Sequence, residues 1–261
     1  MDGGPNLSFR LRTLAARLEN LSEWNQRAIV FGEAFSAMTP EVASQAFSRI
    51  VTATFGIRES GHKILAQSAT LAMVASSWDR EHRTHTREAA AAQGDEPTSV
   101  FLVTPEIPDA EDEDLEVPDY GSGRPLTLGE RKAIATQPDR RMLEMAMRDP
   151  HPRVASRVLD NPTLTENDVI RIAARRPQAP SVLAEIALHT RWRLRARVAM
   201  SLVNNPGMPP STGLSLLPFL TVTDARQVCD DNKIVQSLKE GAACLLDHLE
   251  KMRKLSGQAA D

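Results

Sequence analysis

The sequence has 261 residues, of which 41% are hydrophobic and 25% charged, and its formal net charge is −3. This length and apolar content are sufficient for one or two folded domains, which excludes a chain that is disordered throughout. No stretch of ~18 apolar residues occurs, and the first residues lack the apolar segment of a secretory signal. Cys229 and Cys244 lie among apolar residues without metal-ligand spacing, as in proteins of a reducing compartment. We therefore expect a cytoplasmic protein without membrane insertion.

The residue composition predicts an all-α fold. Aromatic residues make up only 4% of the chain, β-branched runs are scarce, and Ala, Leu, Arg and Glu dominate. Three apolar stripes at helical spacing predict an N-terminal helical domain over residues 1–90. The stripes are Leu11, Leu14, Ala15, Leu18 and Leu21; Val42, Ala46, Phe47, Ile50 and Val51 after the start signal Thr39-Pro40-Glu41; and Ile64, Ser68, Leu71, Ala75 and Trp78.

Two histidines follow the third stripe in the polar stretch DREHRTHTRE. His82 and His85 are three residues apart, so they lie on neighbouring positions of a helix. Two imidazoles without further ligands do not make a metal site. We interpret this stretch as a solvated helix end and predict no metal.

A segment rich in proline, glycine and acidic residues predicts a linker over residues 91–124. Eight acidic residues lie between Glu106 and Asp119, and they leave the chain without an apolar face. Within the segment, Val100–Val103 is either a short docked strand or the most apolar piece of a disordered stretch. The linker also separates the charge: residues 1–124 hold 11 basic and 19 acidic residues and residues 125–261 hold 20 and 15, so the halves carry −8 and +5.

The second half contains an internal repeat. RVASRVLDNP (153–162) and RVAMSLVNNP (197–206) match at Arg-Val-Ala and Asn-Pro with a spacing of 44 residues. This period predicts a unit of two helices, with Val154 and Val198 buried and the two Asn-Pro turns in equivalent places. Pro162, Pro177 and Pro206 are each expected to open a helix, because proline lacks the N–H that the first turn leaves unpaired.

Residues 125–255 resemble the helical-repeat proteins of the HEAT, armadillo and leucine-rich-repeat-variant kind. The resemblance depends on RDPHPRVASRVLDNPTLTENDVIRIAARRPQAPSVLAEIA, whose elements DPHPRV and NPxLT are similar to the turns of such repeats. It implies a short α-solenoid, a fold that is used mostly as a binding scaffold and has no shared catalytic residues.

Arginines are concentrated in this predicted repeat domain. Between Pro138 and Val198 there are twelve arginines, no lysine and seven acidic residues. Glu144 precedes Arg148, and Asp149 precedes Arg153, by four residues, an order that stabilises a helix by ~0.2–0.5 kcal/mol per pair. The remaining arginines lack such local partners, and no acidic residue lies between Glu185 and Asp224.

The densest group of arginines surrounds a tryptophan in TRWRLRARV, residues 190–198. The helix of this segment is expected to begin near residues 194–196. At about 100° per residue, Val198 and Leu202 face inward while Arg193 faces outward. Arg193→Ala should then cost less than ~0.5 kcal/mol. Trp192 is interpreted as a plug between repeats whose N–H reaches a backbone carbonyl, or as a stacking platform for a nucleic-acid base.

Three explanations of the surplus arginines are open. In the first, the arginines bridge to acids of neighbouring repeats such as Asp160 and Asp168. In the second, they bind an acidic protein partner or the chain's own linker, in which case Glu106–Asp119 lies over Arg191, Arg193 and Arg197. In the third, they bind nucleic-acid phosphate. A protein of this third kind would be similar to the HEAT-like DNA glycosylases for alkylated bases. Arginine suits both carboxylate and phosphate, so its identity does not discriminate. The predicted partner-binding residues are Arg157, Arg175, Arg176, Arg191, Trp192, Arg193, Arg195 and Arg197.

No motif for catalysis is recognisable. The sequence has no glycine-rich phosphate loop at the start of a helix, no Cys/His metal quartet and no Gly-x-Ser-x-Gly turn. We therefore predict no catalytic residue, cofactor or metal. The sequence favours a non-catalytic adaptor that binds an acidic protein partner, with nucleic-acid binding as the alternative.

Overall fold

The computed structural model describes residues 7–56, 60–109 and 116–258, and within these ranges every regular element is a helix. The all-α fold class is confirmed. None of the described helices combines the length and apolar composition needed to cross a bilayer. The helices are α1 (Leu7–Glu19), α2 (Trp24–Ser36), α3 (Pro40–Gly56), α4 (Ser60–Val74), α5 (Arg80–Gln93), α6 (Glu96–Phe101), α7 (Leu128–Ala135), α8 (Arg140–Ala146), α9 (Pro152–Leu159), α10 (Glu166–Ala174), α11 (Pro180–Leu188), α12 (Ala196–Val203), α13 (Pro210–Leu214), a 3₁₀ helix (Leu217–Phe219), α14 (Val222–Asp230) and α15 (Gln236–Gln258).

The chain divides into two compact units whose bounds differ from the predicted domains. The first unit comprises residues 1–105 together with 217–261, and the second comprises residues 106–216. Helix α15 packs on α3 and α6, so it completes the first unit instead of belonging to the repeat domain predicted over residues 125–255. The first unit also extends past the boundary predicted near residue 90, because α6 packs on both α3 and α5.

The first unit is built around α4. This helix contacts α1, α2 and α3, and most of its side chains are buried, including Leu65, Leu71 and Met73. The stripe predicted for α1 is buried from Leu11 to Leu18, as the spacing indicates. Trp78 lies beyond the end of α4, where its ring packs against Phe35 at a centroid distance of 5.0 Å.

His82 fixes the start of α5 rather than belonging to a solvated helix end. Its Nδ1 accepts from the indole N–H of Trp78 at 3.0 Å, and its Nε2 lies 2.9 Å from the Met38 carbonyl. Because an indole nitrogen only donates and a carbonyl only accepts, the imidazole proton is on Nε2. His85 is exposed. The pair therefore does not act together, and His82 has a structural role.

The first part of the predicted linker is helical. Asp95 caps α6 by accepting from the backbone N–H of Thr98, and its other oxygen accepts from the Ser44 hydroxyl at 2.7 Å. Phe101 and Leu102 are buried at the end of this helix. Both interpretations of residues 100–103, a strand and a disordered piece, are wrong because α6 buries its apolar side chains against α3.

In the second unit, each 44-residue segment contains three helices, not the predicted two. The order is α7, α8, α9 and then α10, α11, α12, and α9 and α12 are exactly 44 residues apart at both ends. In each segment the first helix packs on the third, and α11 also packs on α9 of the preceding segment. Val154 and Val198 are both fully buried, as predicted.

The two Asn-Pro turns do occupy equivalent places. The Asn161 amide donates to the carbonyls of Ala135 and Gln137, at the end of α7, with both distances 2.9 Å. The Asn205 amide donates in the same way to Ala173 and Arg175 at the end of α10, at 2.7 and 2.9 Å. Each buried asparagine therefore ties the end of the first helix of its segment to the end of the third.

The prolines of these turns do not open helices. Pro162 lies in a turn four residues before α10, which begins after the N-cap Thr165, and α11 and α13 begin at Pro180 and Pro210. Pro177 and Pro206 also lie outside helices. The asparagine side chain turns the backbone back on itself, so the helix starts only once that turn is complete.

The equivalence of the asparagines predicts matching effects on stability. Asn161→Ala and Asn205→Ala should each lower the free energy of unfolding by about 1–3 kcal/mol, because each leaves carbonyl groups without a donor. Urea unfolding followed by circular dichroism measures the loss. Asn167→Ala, at an exposed position of α10, is the control and should change little. A large loss for one asparagine with none for the other would contradict the equivalence.

Candidate functional site

Trp192 and Arg193 point into the second unit instead of lining its surface. Trp192 is 1% exposed, and its Nε1 donates to the Leu159 carbonyl at 2.9 Å. This agrees with the interpretation of Trp192 as a plug. The Arg193 side chain is fully buried, its Nη2 donates to the Ser215 carbonyl at 3.1 Å, and burial lowers its pKa. The prediction that these two residues form part of an exposed binding surface is therefore wrong.

Arg193 faces inward because it does not lie on a helix. Residues 190–194 form a turn, and α12 begins at Ala196 with Arg195 as its N-cap residue. The predicted helix start is confirmed, but helical periodicity does not apply to residues before it. The turn places two consecutive side chains, Trp192 and Arg193, in the interior.

Five arginines of the predicted set are exposed. One is Arg176, and the other four are Arg157 on α9, Arg191 and Arg195 in and after the turn, and Arg197 on α12. None of the four makes an ion pair with a carboxylate of the described residues. The Arg191 guanidinium lies over the Trp192 ring, with its Cζ 4.2 Å from the ring centroid. The bond from Trp192 to Leu159 brings this turn to the end of α9, whose last turn carries Arg157. We call Arg157, Arg191, Arg195 and Arg197 the arginine ridge.

The two remaining arginines of the set differ from the ridge. Arg176 is exposed, but its Nη2 donates to the Asn204 carbonyl at 2.6 Å. Arg175 is half-buried at the end of α10, where burial, followed by the charges of Arg148 and Arg171, lowers its pKa. The structure therefore does not bring all the predicted residues together in one surface.

Other arginines of the unit are paired with acids both between helices and along them. Arg140 on α8 binds both carboxylate oxygens of Asp168 on α10, at 2.8 and 2.7 Å. Arg171 contacts Asp168 at 2.8 Å and Glu144 at 3.0 Å. The bridge to Asp168 is thus confirmed, while the predicted pair Glu144–Arg148 is replaced by contacts of Glu144 with Arg140 and Arg171.

Asp149 is the centre of a buried polar cluster that the sequence did not reveal. Its two carboxylate oxygens accept from Nη1 of Arg131 at 2.8 and 2.7 Å, and one of them accepts from the Tyr120 hydroxyl at 2.7 Å. The other also accepts from the His151 backbone N–H at 3.0 Å. The predicted local pair Asp149–Arg153 does not form. Burial, together with Asp149, raises the pKa of Tyr120 above its usual value.

The structure describes only some of the linker residues that were predicted to lie over the arginines. Glu106 lies at the start of α13: its N–H donates to Ser211 Oγ at 3.0 Å, and its carbonyl accepts from the Thr212 hydroxyl at 2.6 Å. Residues 110–115, which hold four of the acidic side chains, lie outside the described ranges. Arg193, one of the three arginines expected beneath the linker, is buried and is not available to it.

The first unit contains a groove of about 730 Å³ between α1, α3, α4 and α15. Leu11, Ala15 and Leu65 contribute to its apolar lining, and the exposed side chains of Arg12 and Arg49 also border it. Sequence patterns could not indicate this groove, because its walls come from four separate segments of the chain.

Comparison with known proteins gives no match. No family model, no curated protein and no solved structure matches the chain. The similarity to HEAT and armadillo repeats therefore remains a prediction from the quoted residues.

Proposed function

We propose that this protein is a cytoplasmic, non-catalytic adaptor whose second unit is a short HEAT-like helical repeat that binds an acidic segment of a protein partner. The observation that carries this proposal is the arginine ridge. Its four guanidinium groups are exposed and lack carboxylate partners among the described residues, whereas Arg131, Arg140 and Arg171 of the same unit are neutralised by acids. Like charges on neighbouring elements destabilise a fold, and bound carboxylates would relieve that repulsion.

Two further features support the proposal. The repeated asparagine contacts are consistent with stacked segments of a helical repeat. Cys229 and Cys244 form no disulfide, in keeping with a reducing compartment. The buried Trp192 cannot stack on a base, so it gives the nucleic-acid alternative no support.

The test is the affinity of the full chain for a labelled synthetic peptide of about ten glutamates, measured by fluorescence anisotropy across a salt series. Replacing Arg191, Arg195 and Arg197 together by Glu should weaken binding by about tenfold or more, because attraction becomes repulsion. Trp192 and Arg193 are left unchanged, since both are buried. The matched control reverses three exposed charges of the first unit, Arg17, Arg226 and Lys233, and should retain the wild-type affinity.

Two results would contradict the proposal. One is equal binding by the ridge variant and its control. The other is a short DNA duplex that binds more tightly than the peptide at the same salt concentration, with an affinity that falls linearly in log salt, as expected for phosphate contacts.

A further inference from the structure

The groove of the first unit joins a buried apolar floor to two guanidinium groups. Its volume of about 730 Å³ lies within the range of about 300–1,000 Å³ that is typical of small-molecule sites. Its walls come from α1, α3, α4 and α15, which all belong to this unit. The arginine ridge belongs to the second unit, so the proposed function does not involve this groove.

The floor of the groove suits an aliphatic chain. Leu11 on α1, Leu65 on α4 and Leu249 on α15 line it, and all three are buried. Met252, one turn after Leu249, borders the groove with 45% of its surface exposed, and the flexible thioether of a methionine adapts to irregular apolar ligands. Among the described residues that line the groove there is no Phe, Tyr or Trp, so an aromatic ligand would find no ring to pack against.

Two arginines place positive charge at the rim. Arg12 on α1 and Arg49 on α3 both border the groove, and both are exposed. Arg49 Nη1 donates to the Ser8 hydroxyl at 3.1 Å, and Ser8 precedes Arg12 by four residues within α1. The Arg49 guanidinium therefore reaches the face of α1 that carries Arg12. Neither arginine pairs with a carboxylate in the part of the chain that the structure describes.

The charge of the groove matches a monoanion. Apart from the titratable His62, its charged lining residues are Arg12, Arg49 and Glu19, which leave one net positive charge. A carboxylate carries one negative charge and accepts paired N–H bonds from a guanidinium group. A phosphate monoester, with a charge of about −1.5 to −2, would exceed the charge of the groove and be repelled by the Glu19 carboxylate.

An extended peptide would find few hydrogen-bond partners in the groove. The Thr52 hydroxyl, which lines it, already donates to the Ser48 carbonyl at 2.8 Å. The walls are helices, whose interior N–H and C=O groups are bonded to one another. Backbone groups of a peptide would be left unpaired there, whereas an alkyl chain has no polar groups to satisfy.

We propose that this groove binds the anion of a free fatty acid, with the alkyl chain on the apolar floor and the carboxylate held by Arg12 and Arg49. The chain displaces water from apolar surface, and the two guanidinium groups donate to the carboxylate oxygens. The chemical class of the ligand is an aliphatic monocarboxylic acid.

The test measures decanoate binding to the full chain by isothermal titration calorimetry, at concentrations below those at which the ligand forms micelles. Decanol, which has the same chain and no charge, should bind at least about tenfold more weakly. Arg12→Ala and Arg49→Ala should each weaken decanoate binding by about tenfold and leave decanol binding almost unchanged. Arg17→Ala removes an exposed arginine of α1 that does not line the groove, and it should retain the wild-type affinity.

Two further variants probe the shape and the charge of the groove. Ala16→Phe fills it from an exposed position of α1, so it should weaken the binding of decanoate and decanol alike, whereas Ala92→Phe, at an exposed position of α5, should weaken neither. Glu19→Gln removes the negative charge and should tighten decanoate binding about twofold, a gain that misfolding cannot produce. Circular dichroism checks that each variant is folded.

Three results would overturn the fatty-acid site. They are equal affinities for decanoate and decanol, decanoate binding that survives both arginine substitutions, and the absence of decanoate binding by the wild-type chain. In the last case, sedimentation of the wild-type chain with phosphatidylglycerol vesicles would assign the groove to a lipid surface instead. Each of these results leaves the proposed adaptor function of the second unit untouched.

Discussion

Asp149→Ala should lower the free energy of unfolding of the second unit by about 3–5 kcal/mol, the usual cost of removing one partner of a buried ion pair. The Asp149 side chain is fully buried, and the Arg131 side chain is only 9% exposed. Alanine would leave the guanidinium without its counter-ion in an interior of low dielectric constant, and the Tyr120 hydroxyl and the His151 N–H would lose their acceptor. Urea unfolding, with hydrogen exchange of the amides in α7 and α9, measures this loss.

Matched variants separate the charge from the hydrogen bonds. Tyr120→Phe removes one hydrogen bond to Asp149 and should cost only about 1–2 kcal/mol. Replacing both charged partners, with Arg131→Met and Asp149→Leu in the same chain, should recover much of the stability, because no unpaired charge remains. A loss below about 1 kcal/mol for Asp149→Ala would show that the ion pair contributes little.

Leu202→Ala should cost about 2–5 kcal/mol, since its side chain is fully buried and alanine would leave a cavity. From the structure we expect a loss of more than about 1 kcal/mol for Arg193→Ala as well, in place of the small loss predicted from helical periodicity. The substitution removes a buried side chain and the donor to the Ser215 carbonyl. Denaturant unfolding of both variants gives the comparison.

Arg193→Met is the informative control, because it retains most of the volume and removes the charge. Its loss should be smaller than that of Arg193→Ala, since the aliphatic part of an arginine packs like an apolar side chain. A loss below about 0.5 kcal/mol for Arg193→Ala would instead fit a solvated side chain and contradict the burial.

Regular periodicity explains which parts of the fold the sequence predicted correctly. The α1 stripe and the burial of Val154 and Val198 followed from helical spacing and the 44-residue repeat. The same method failed for Arg193, because the residue lies in a turn and no fixed angle relates it to Val198. It also divided the chain at the wrong places, since the packing of α15 on α3 joins segments that are far apart in sequence.

The candidate site was harder to predict, because the tertiary structure determines which arginine pairs with which carboxylate. Local spacing paired Glu144 with Arg148, but the neighbouring helix α10 brings Arg171 to Glu144 instead. Asp149 was assigned to Arg153, yet its position before α9 directs the carboxylate to Arg131 on α7. Which arginines remain unpaired therefore depends on helix packing, and only the exposed positions such as Arg157 and Arg197 could be anticipated from their own helices.

The contacts of Glu106 and Tyr120 have a consequence for protein engineering. Both residues bind the second unit, Glu106 through Ser211 and Thr212 and Tyr120 through Asp149, so the connection between them starts and ends on the same folded body. The entropy needed to close such a connection grows only logarithmically with its length. A reporter domain whose own termini lie close together, inserted between Glu106 and Tyr120, should therefore leave the contacts of Glu106 with Ser211 and Thr212 and of Tyr120 with Asp149 in place.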